Sequence, residues 1–293
     1  MSYRLQKALI WLCNQIPLRL MYFFADLLWV LVYYASNYRK AVVRGNLERS
    51  FPERSVAERR RIEKVFYRYL ADQLLETFRA FSMTSEEINR RVKVLNPELM
   101  NDLHTRGLNV VHLLGHHANW EWYAHALALN TRHWLFFVYK KLNNEGLNQL
   151  MIEMREKFGA KSVPMKQIFK TIESSPERLH ASFFGGDQSP MASNRFIWIP
   201  FMHQKTAVYL GAEDIAKKYN AAVVFGKMRR QKRGYYTIEL ALITDRPRET
   251  AFGEITRKHT RLLEELLEEQ PEYWLWSHRR WKLNPEIHKG QDE

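Results

Sequence analysis

Two histidines and a glutamate form the first group of residues in this chain whose types could carry out chemistry. His116, His117 and Glu121 lie within the segment LLGHHANWE at positions 113–121. An imidazole titrates near neutral pH, and a nearby carboxylate can fix its tautomer and stabilise its protonated form. Together these groups can remove a proton from a hydroxyl so that the oxygen attacks an acyl group. The segment therefore predicts a general base for acyl transfer.

The spacing alone does not choose between the two histidines. Residues five apart on a regular helix point about 140° apart, so His116 can meet Glu121 only from the turn before the helix. His117 and Glu121 are four apart and share a helix face, which His125 continues. That face could in principle bind a metal, but the zincin pattern places its glutamate next to the first of two histidines four apart. A purely structural role at a helix start is a third interpretation.

The hydrophobic pattern predicts an α/β fold that would position this segment. The apolar run at 108–114 predicts a buried strand, and Asn119 begins a predicted helix. Open α/β folds place their sites where strands end and helices begin. Because strands and helices alternate, we expect a mixed central sheet flanked by helices. The predicted strands are 108–114, 134–139, 180–186, 193–199, 221–227 and 235–243, and the predicted helices are 38–51, 55–81, a short helix after Thr84, 119–129, 144–158, 165–174, 206–219 and 252–269.

The sequence of the first part of the chain predicts a membrane-associated helix. The stretch LRLMYFFADLLWVLVYYA at 18–35 approaches the length of a membrane span, and its aromatic residues suit an interface. Arg19 and Asp26 argue against a simple span. We expect an uncleaved anchor or a deeply embedded interfacial helix within 1–37, with a buried core helix as the alternative. One α/β domain with a helical N-terminal part would then cover 38–293.

Composition restricts the partners. The chain has 293 residues, a formal net charge of +13 and a single cysteine, Cys13. The charge suits an anionic membrane, an acidic protein or nucleic acid. One cysteine excludes an intramolecular disulfide and a cysteine-based metal site. The apolar N-terminal stretch and the absence of a recognisable nucleic-acid module favour a membrane over nucleic acid.

Five blocks in order resemble one protein family. They are RGNLERSFP at 44–52, HHANWE at 116–121, FVYKK with REKFG at 137–141 and 155–159, DQ at 187–188, and PEYWLWSHRRWK at 271–282. The second resembles the His-x4-Glu motif of the lysophospholipid acyltransferase superfamily. The whole series is similar to the lipid A biosynthesis acyltransferases, the late, lauroyl/myristoyl-type enzymes of Gram-negative bacteria. This resemblance implies a glycerolipid acyltransferase-like fold.

The resemblance also implies a catalytic pair. It assigns His116 as the general base and Glu121 as the carboxylate that holds the imidazole, with no metal, no cofactor and no covalent enzyme intermediate required. It makes Asp187 a site residue that orients the substrate or a nearby basic group, although Asp-Gln-Ser-Pro is also an ordinary turn sequence. The third block departs from the family's usual Tyr-Arg-Pro, since Lys140 replaces the arginine. Recognition of phosphate or carboxylate would then depend on Lys140 or on Arg155.

Further basic residues complete the expectations for the site. Clusters of cations are most often solvated surface, but some should contact lipid phosphates or an acidic carrier protein. Arg195 is the substrate-binding candidate among them; the others are Lys205, Arg229, Arg230, Lys232 and Arg233.

The predicted function is transfer of a fatty acyl chain from acyl carrier protein to a hydroxyl of a lipid A precursor, an anionic lipid. The resemblance and the basic segment after the apolar stretch place the protein at the bacterial inner membrane, with the catalytic domain facing the cytoplasm. The alternatives are an acyltransferase for a glycerophospholipid, glycolipid or aminolipid, and a non-catalytic basic membrane-binding protein. A metallohydrolase using His117, Glu121 and His125 is the least favoured.

Overall fold

A seven-stranded sheet forms the centre of residues 3–291, the part of the chain that the computed structural model describes. The strand order is β1-β9-β8-β2-β5-β3-β4, and neighbouring strands are parallel except for the antiparallel pair β8 and β9. β2 lies in the middle because its residues are almost uniformly apolar and buried. The strands are β1 (Val92–Val94), β2 (Val110–Leu114), β3 (Trp134–Tyr139), β4 (Lys161–Pro164), β5 (His180–Gly185), β8 (Ala222–Lys232) and β9 (Tyr235–Thr244).

Helices cover the sheet and form the N-terminal part. They are α1 (Tyr3–Asn14), α2 (Leu18–Val30), α3 (Lys40–Ser50), α4 (Val56–Ala80), α5 (Ser85–Arg91), α6 (Glu98–Thr105), α7 (Trp120–Asn130), α8 (Glu145–Glu156), α9 (Ile168–Glu173), α10 (Gly211–Tyr219) and α11 (Glu254–Glu269). A π-helical turn, Leu31–Ala35, continues α2. The predicted capping box is present, since Ser55 and Glu58 bind each other's backbone at the start of α4. The predicted α/β class with a mixed central sheet is confirmed.

The helix predicted at 206–219 is wrong in its first part. Residues Gln204–Tyr209 form β7, which pairs with β6 (Phe196–Phe201) in a separate antiparallel hairpin, and only α10 is helical. Met202 and His203 connect the two strands, and both have positive φ angles, 50° and 60°. A two-residue hairpin turn of this kind usually contains asparagine or glycine, so the sequence did not signal it. The strands β1 and β4 and the helix α6 were also absent from the sequence prediction.

The apolar N-terminal helix packs along α4 with one face exposed. Leu18–Ala35 is long and apolar enough to cross a membrane, with a mean hydropathy of 1.4, and only 17% of it is buried. Leu18 and Met21 pack into a core cluster with Ala80. Asp26, near the middle of the stretch, forms ion pairs with Arg68 at 2.8 Å and with Arg233 at 2.9 Å. These pairs explain how an acidic residue is accommodated in an apolar helix.

Candidate active site

The register of two neighbouring strands brings His116 and Asp187 together. β2 and β5 are parallel, and Leu114 pairs with Gly185 at their carboxyl ends. Residues 116 and 187 each lie two positions further along, so they meet at the same edge of the sheet. Oδ1 of Asp187 lies 2.6 Å from Nδ1 of His116. Its Oδ2 accepts hydrogen bonds from the backbone N–H of His116 and from Nε1 of Trp274, both at 2.7 Å.

These contacts make the pair an ionised acid beside a basic imidazole. Burial raises the pKa of Asp187, but the charge of His116 and the hydrogen bonds from His116 and Trp274 outweigh it, so this pKa lies well below its usual range. Burial lowers the pKa of His116, yet Asp187 outweighs that effect and the net pKa is raised. An ionised carboxylate only accepts hydrogen bonds, so we assign the ring proton to Nδ1. Nε2 is then left with its lone pair.

Glu121 does not make the contact that the sequence predicted. Its carboxylate accepts two hydrogen bonds from Arg155, at 3.0 Å from Nε and 2.7 Å from Nη2. Burial raises the pKa of Glu121, but the charge and hydrogen bonds of Arg155 outweigh it and the pKa is lowered. Glu121 influences His116 through its charge, which adds to the increase in the pKa of the imidazole. The expected direct support of the ring by Glu121 is therefore corrected: Asp187 makes that contact.

The neighbouring histidines do not form the metal-binding face that spacing allowed. The ring nitrogens of His117 lie 2.9 Å from the carbonyl oxygen of Met228 and 2.8 Å from that of Gln270. His125 is buried, with Nε2 at 3.3 Å from the sulfur of Met154. Within residues 3–291, no group of three or more histidine, cysteine, aspartate or glutamate side chains is arranged to hold a metal ion.

A tightly bonded turn carries His116 into α7. Ala118 has a φ of 51°, a conformation that is uncommon for a residue with a Cβ. Its N–H donates to the carbonyl of Tyr273 at 2.9 Å, and its carbonyl accepts the hydroxyl of Tyr69. Asn119 then caps the helix, since its Oδ1 accepts the N–H of Trp122 at 2.9 Å. These bonds hold His116 outside the regular helix.

A cavity of about 490 Å³ opens beside His116. It combines apolar walls with cationic groups at the carboxyl ends of β2, β3 and β5. Such a lining fits a ligand with an apolar chain and an anionic part. The apolar side chains are Leu114, Phe137, Val138, Leu142, Met165 and Phe183, and the cations are Lys140, Lys141 and Arg155.

Comparison with known protein families shows the family to which the chain belongs. The family model described as bacterial lipid A biosynthesis acyltransferase matches residues 3–283. The chain belongs to this family. No individual curated protein matches the chain at a significant level. The resemblance inferred from the five sequence blocks is thus confirmed, and membership indicates an acyltransferase of lipid A biosynthesis with a lipid substrate and an acyl donor. The family is associated with bacterial membranes, in keeping with the apolar N-terminal helix.

The remaining predicted site residues fall in different places in this lipid A biosynthesis acyltransferase. Lys140 and Arg155 line the cavity. Asp187 is not among the lining residues, because it lies behind His116 and is only 4% exposed. Arg195 is also not among them, and it pairs with Asp214 at 2.7 Å. The structure therefore does not bring Arg195 together with the other candidates.

The basic cluster also contains residues with a structural role in this acyltransferase. Arg230 and Arg233 both pair with the buried Asp72. Their clustering with Lys232 in the sequence indicated solvated charge, and only the fold shows that two of them bind one buried carboxylate.

Two residues near His116 were not predicted from the sequence to belong to the active site. Trp274 donates to Asp187, and the side-chain nitrogen of Gln188 lies 3.4 Å from Nε2 of His116. Both belong to blocks that support the family resemblance, which is the only sequence signal for them.

Proposed function

We propose that this protein transfers a fatty acyl chain from acyl carrier protein to a hydroxyl of a lipid A precursor at the cytoplasmic face of the inner membrane. One observation carries the proposal. Asp187 binds Nδ1 of His116, while the ring borders a cavity that is lined by both apolar and cationic side chains. A correctly oriented imidazole beside space for an acyl chain and an anionic headgroup is what acyl transfer to a hydroxyl of an anionic lipid requires.

The chemistry follows from the orientation of the imidazole. The acceptor hydroxyl approaches Nε2 of His116 and displaces the side-chain amide of Gln188. As its oxygen attacks the thioester carbonyl carbon, the hydroxyl proton moves to Nε2. When the carbon–sulfur bond breaks, the imidazolium returns that proton to the thiolate. Asp187 stabilises the imidazolium and prevents rotation of the ring, as the aspartate does in a serine–histidine–aspartate triad.

The cationic groups of the cavity would bind the anionic lipid. Arg155 is held by Glu121, and its guanidinium also lies 4.4 Å from the centre of the Phe137 ring. Glu121 thereby fixes a cation at the cavity wall, which is the role we propose for it in place of direct support of His116. Lys140 adds a second positive charge to the cavity lining. We propose that these cations bind a phosphate while the apolar side chains of the lining contact the acyl chain.

The exposed apolar face of the first two helices supports a membrane location. Large hydrophobic side chains there are at least 43% exposed, an arrangement that water disfavours and a lipid surface accommodates. Asp26 forms ion pairs with Arg68 and Arg233, which hold α2 against the protein body at that position. We propose that α2 lies in the interface. The exposed residues are Leu5, Leu9, Trp11, Leu12, Leu20, Phe23, Phe24, Leu27, Val30, Leu31 and Tyr34.

The direct test supplies purified full-length protein with acyl carrier protein bearing a labelled acyl chain and a lipid A precursor in mixed micelles. An acylated lipid A precursor should form, and His116→Ala should reduce its formation by roughly 10²–10⁴-fold. Parallel reactions contain a glycerophospholipid or an aminolipid as the acceptor. Acylation of one of these, with none of the lipid A precursor, would reject the proposed acceptor. Mass spectrometry of lipid A from cells with and without the protein should show one missing acyl chain.

A further inference from the structure

We propose that Glu76 is a positioning residue that couples the seating of the apolar helix α2 to the turn that carries His116. Its carboxylate receives hydrogen bonds from Tyr22 on α2 and from Asn119 at the start of α7. The inference rests on the proposed acyltransferase function. It adds that the rate of acyl transfer depends on contacts made by a helix whose other face is exposed and apolar.

Glu76 connects four parts of the fold: α4, to which it belongs, α2, β9 and the start of α7. It is a residue of α4 and is 0% exposed. Oε1 accepts the hydroxyl of Tyr22 at 2.7 Å, and Oε2 accepts the hydroxyl of Tyr236 on β9 at 2.6 Å. Oε2 also accepts Nδ2 of Asn119 at 2.7 Å. Three donors converge on one carboxylate, an arrangement that only an acceptor satisfies.

Glu76 also accepts hydrogen bonds from two residues at the start of α7, Asn119 and Trp122. Through its side chain it orients Asn119, whose Oδ1 then caps the helix by accepting the N–H of Trp122. Through its backbone carbonyl it accepts Nε1 of Trp122 at 2.9 Å. The position of Asn119 determines where the strained Ala118 and then His116 lie. Movement of Glu76 would therefore be transmitted to the imidazole.

Gly234 and Arg233 hold Tyr22 of α2 in a defined position. Gly234 has a φ of 73°, and a Cβ at this position would overlap the hydroxyl of Tyr22. The guanidinium of Arg233 lies 4.5 Å from the centre of the Tyr22 ring and donates to the carbonyl of Tyr22 at 3.1 Å. Tyr22 thus occupies a defined site on the protein body. The adjacent Phe23 and Phe24 are exposed, so one helix turn contacts both the catalytic framework and the surface that we assign to lipid.

The first experiment compares Glu76→Gln with Glu63→Gln in the acyl transfer assay. Glu63 is a matched control, because it lies on the same helix and is 1% exposed, but its partners are Arg44 and Arg60. In Glu76→Gln one acceptor oxygen is replaced by an amide NH2 group, which faces the groups that donate to Glu76. We therefore expect the turn before α7 to shift. We expect kcat to fall about tenfold to a hundredfold with little change in KM for the acyl donor, since a misplaced base affects the reaction more than binding. Glu63→Gln should keep the wild-type kcat within about twofold.

The second experiment tests the link to α2. Tyr22→Phe removes the hydrogen bond that α2 donates to Glu76. The control, Tyr67→Phe, removes a hydrogen bond that α4, the helix of Glu76, donates to the carbonyl of Tyr38. Tyr22→Phe should lower kcat several-fold, and Tyr67→Phe should not. The double variant Tyr22→Phe with Glu76→Gln should be no slower than Glu76→Gln alone, because both changes interrupt one connection.

The outcomes separate this inference from the proposed function. Rates are normalised to the folded fraction determined from melting curves, so loss of folded protein does not count as loss of kcat. Wild-type kcat in both Tyr22→Phe and Glu76→Gln, with His116→Ala inactive, would overturn the inference and leave the acyltransferase function intact. Equal losses in Tyr22→Phe and Tyr67→Phe, or additive losses in the double variant, would also overturn it. Absence of transfer by the wild-type protein would instead reject the proposed function.

Discussion

The carboxylate of Asp187 contacts His116 twice, once at Nδ1 of the ring at 2.6 Å and once at the backbone N–H at 2.7 Å. One contact fixes the rotation of the ring, and the other fixes the chain that carries it. Asp187 is itself held by Nε1 of Trp274. The imidazole is therefore oriented before a substrate binds, which reduces the reorganisation needed during proton transfer.

Replacing Asp187 should change both the rate and its pH dependence. We expect Asp187→Asn to lower kcat/KM by roughly 10²–10⁴-fold, because the imidazolium loses its counter-charge and the ring its tautomer. Asp187 raises the pKa of His116, and the base acts only when neutral. The acidic limb of the rate profile should therefore move to lower pH in the variant. A pH series of kcat/KM measures this, with Asp214→Asn as the control at a partly exposed ion pair. An unchanged limb would contradict the assigned pairing.

Removing the donor to Asp187 should have a smaller effect. Trp274→Phe retains an aromatic ring but leaves Oδ2 with one hydrogen bond fewer. A hydrogen bond to a charged group contributes about 1.5–3 kcal/mol, so we expect kcat/KM to fall by roughly tenfold to a hundredfold. Trp198→Phe is the control, since it removes an indole hydrogen bond to the carbonyl of His288 at 3.0 Å. A larger loss of activity in Trp198→Phe than in Trp274→Phe would argue against this role.

Substitutions in the Glu121–Arg155 pair should distinguish its contribution to the stability of the fold from its contribution to acyl transfer. Both side chains are largely buried, at 4% and 15% exposure. Arg155→Met leaves the carboxylate unpaired and should lower the free energy of unfolding by about 3–5 kcal/mol. Adding Glu121→Gln removes the buried charge and should restore much of the stability without restoring acyl transfer. Chemical denaturation and the transfer assay measure the two effects. Recovery of activity in the double variant would show that Arg155 does not bind substrate.

Buried histidines should make the fold sensitive to acid. Burial lowers the pKa of His112 to about 3, below its ordinary value of about 6.5. Between these values the unfolded chain binds a proton that the folded chain does not, so stability falls as the pH falls. Each such histidine contributes a slope of about 1.4 kcal/mol per pH unit.

His112→Gln should reduce this acid sensitivity. Melting temperatures at pH 7 and pH 5 measure it, and the difference between them should be smaller in the variant than in the wild type. His203→Gln, at an exposed side chain, should leave the difference unchanged. If both variants kept the wild-type difference, His112 would not be a source of the acid sensitivity.

The exposed face of α2 should determine binding to lipid. Phe23 and Phe24 are 56% and 45% exposed, and burial of a phenylalanine side chain contributes about 1.5–3 kcal/mol. Replacing both by serine should weaken binding to anionic vesicles by a factor of 100 or more, on the order of tenfold for each residue. Leu95→Ser is the control, since Leu95 is 58% exposed but lies outside the first two helices. Vesicle sedimentation measures the partition, and equal losses in the two proteins would contradict the assignment of this face.

The sequence alone was sufficient for the features that depend on local order. Apolar runs alternating with amphipathic segments predicted the α/β class, and Ser55 with Glu58 predicted the start of the long helix. The ordered blocks around His116 and Trp274 predicted the family. The division at residue 37 and the assignment of His116 as the base remain predictions. These patterns are readable because strand burial, capping and motif spacing are properties of neighbouring residues.

Only the tertiary structure decided which carboxylate supports His116. Glu121 is five residues away in sequence, whereas Asp187 is 71 residues away and reaches the ring because β2 and β5 are parallel and in register. The same kind of long-range packing places Arg155 on Glu121 and Tyr22 on Glu76. Strand order and helix docking depend on the burial of the whole core, and no short stretch of sequence records them. The motif thus predicts His116 as the base, and folding places Asp187 beside its ring.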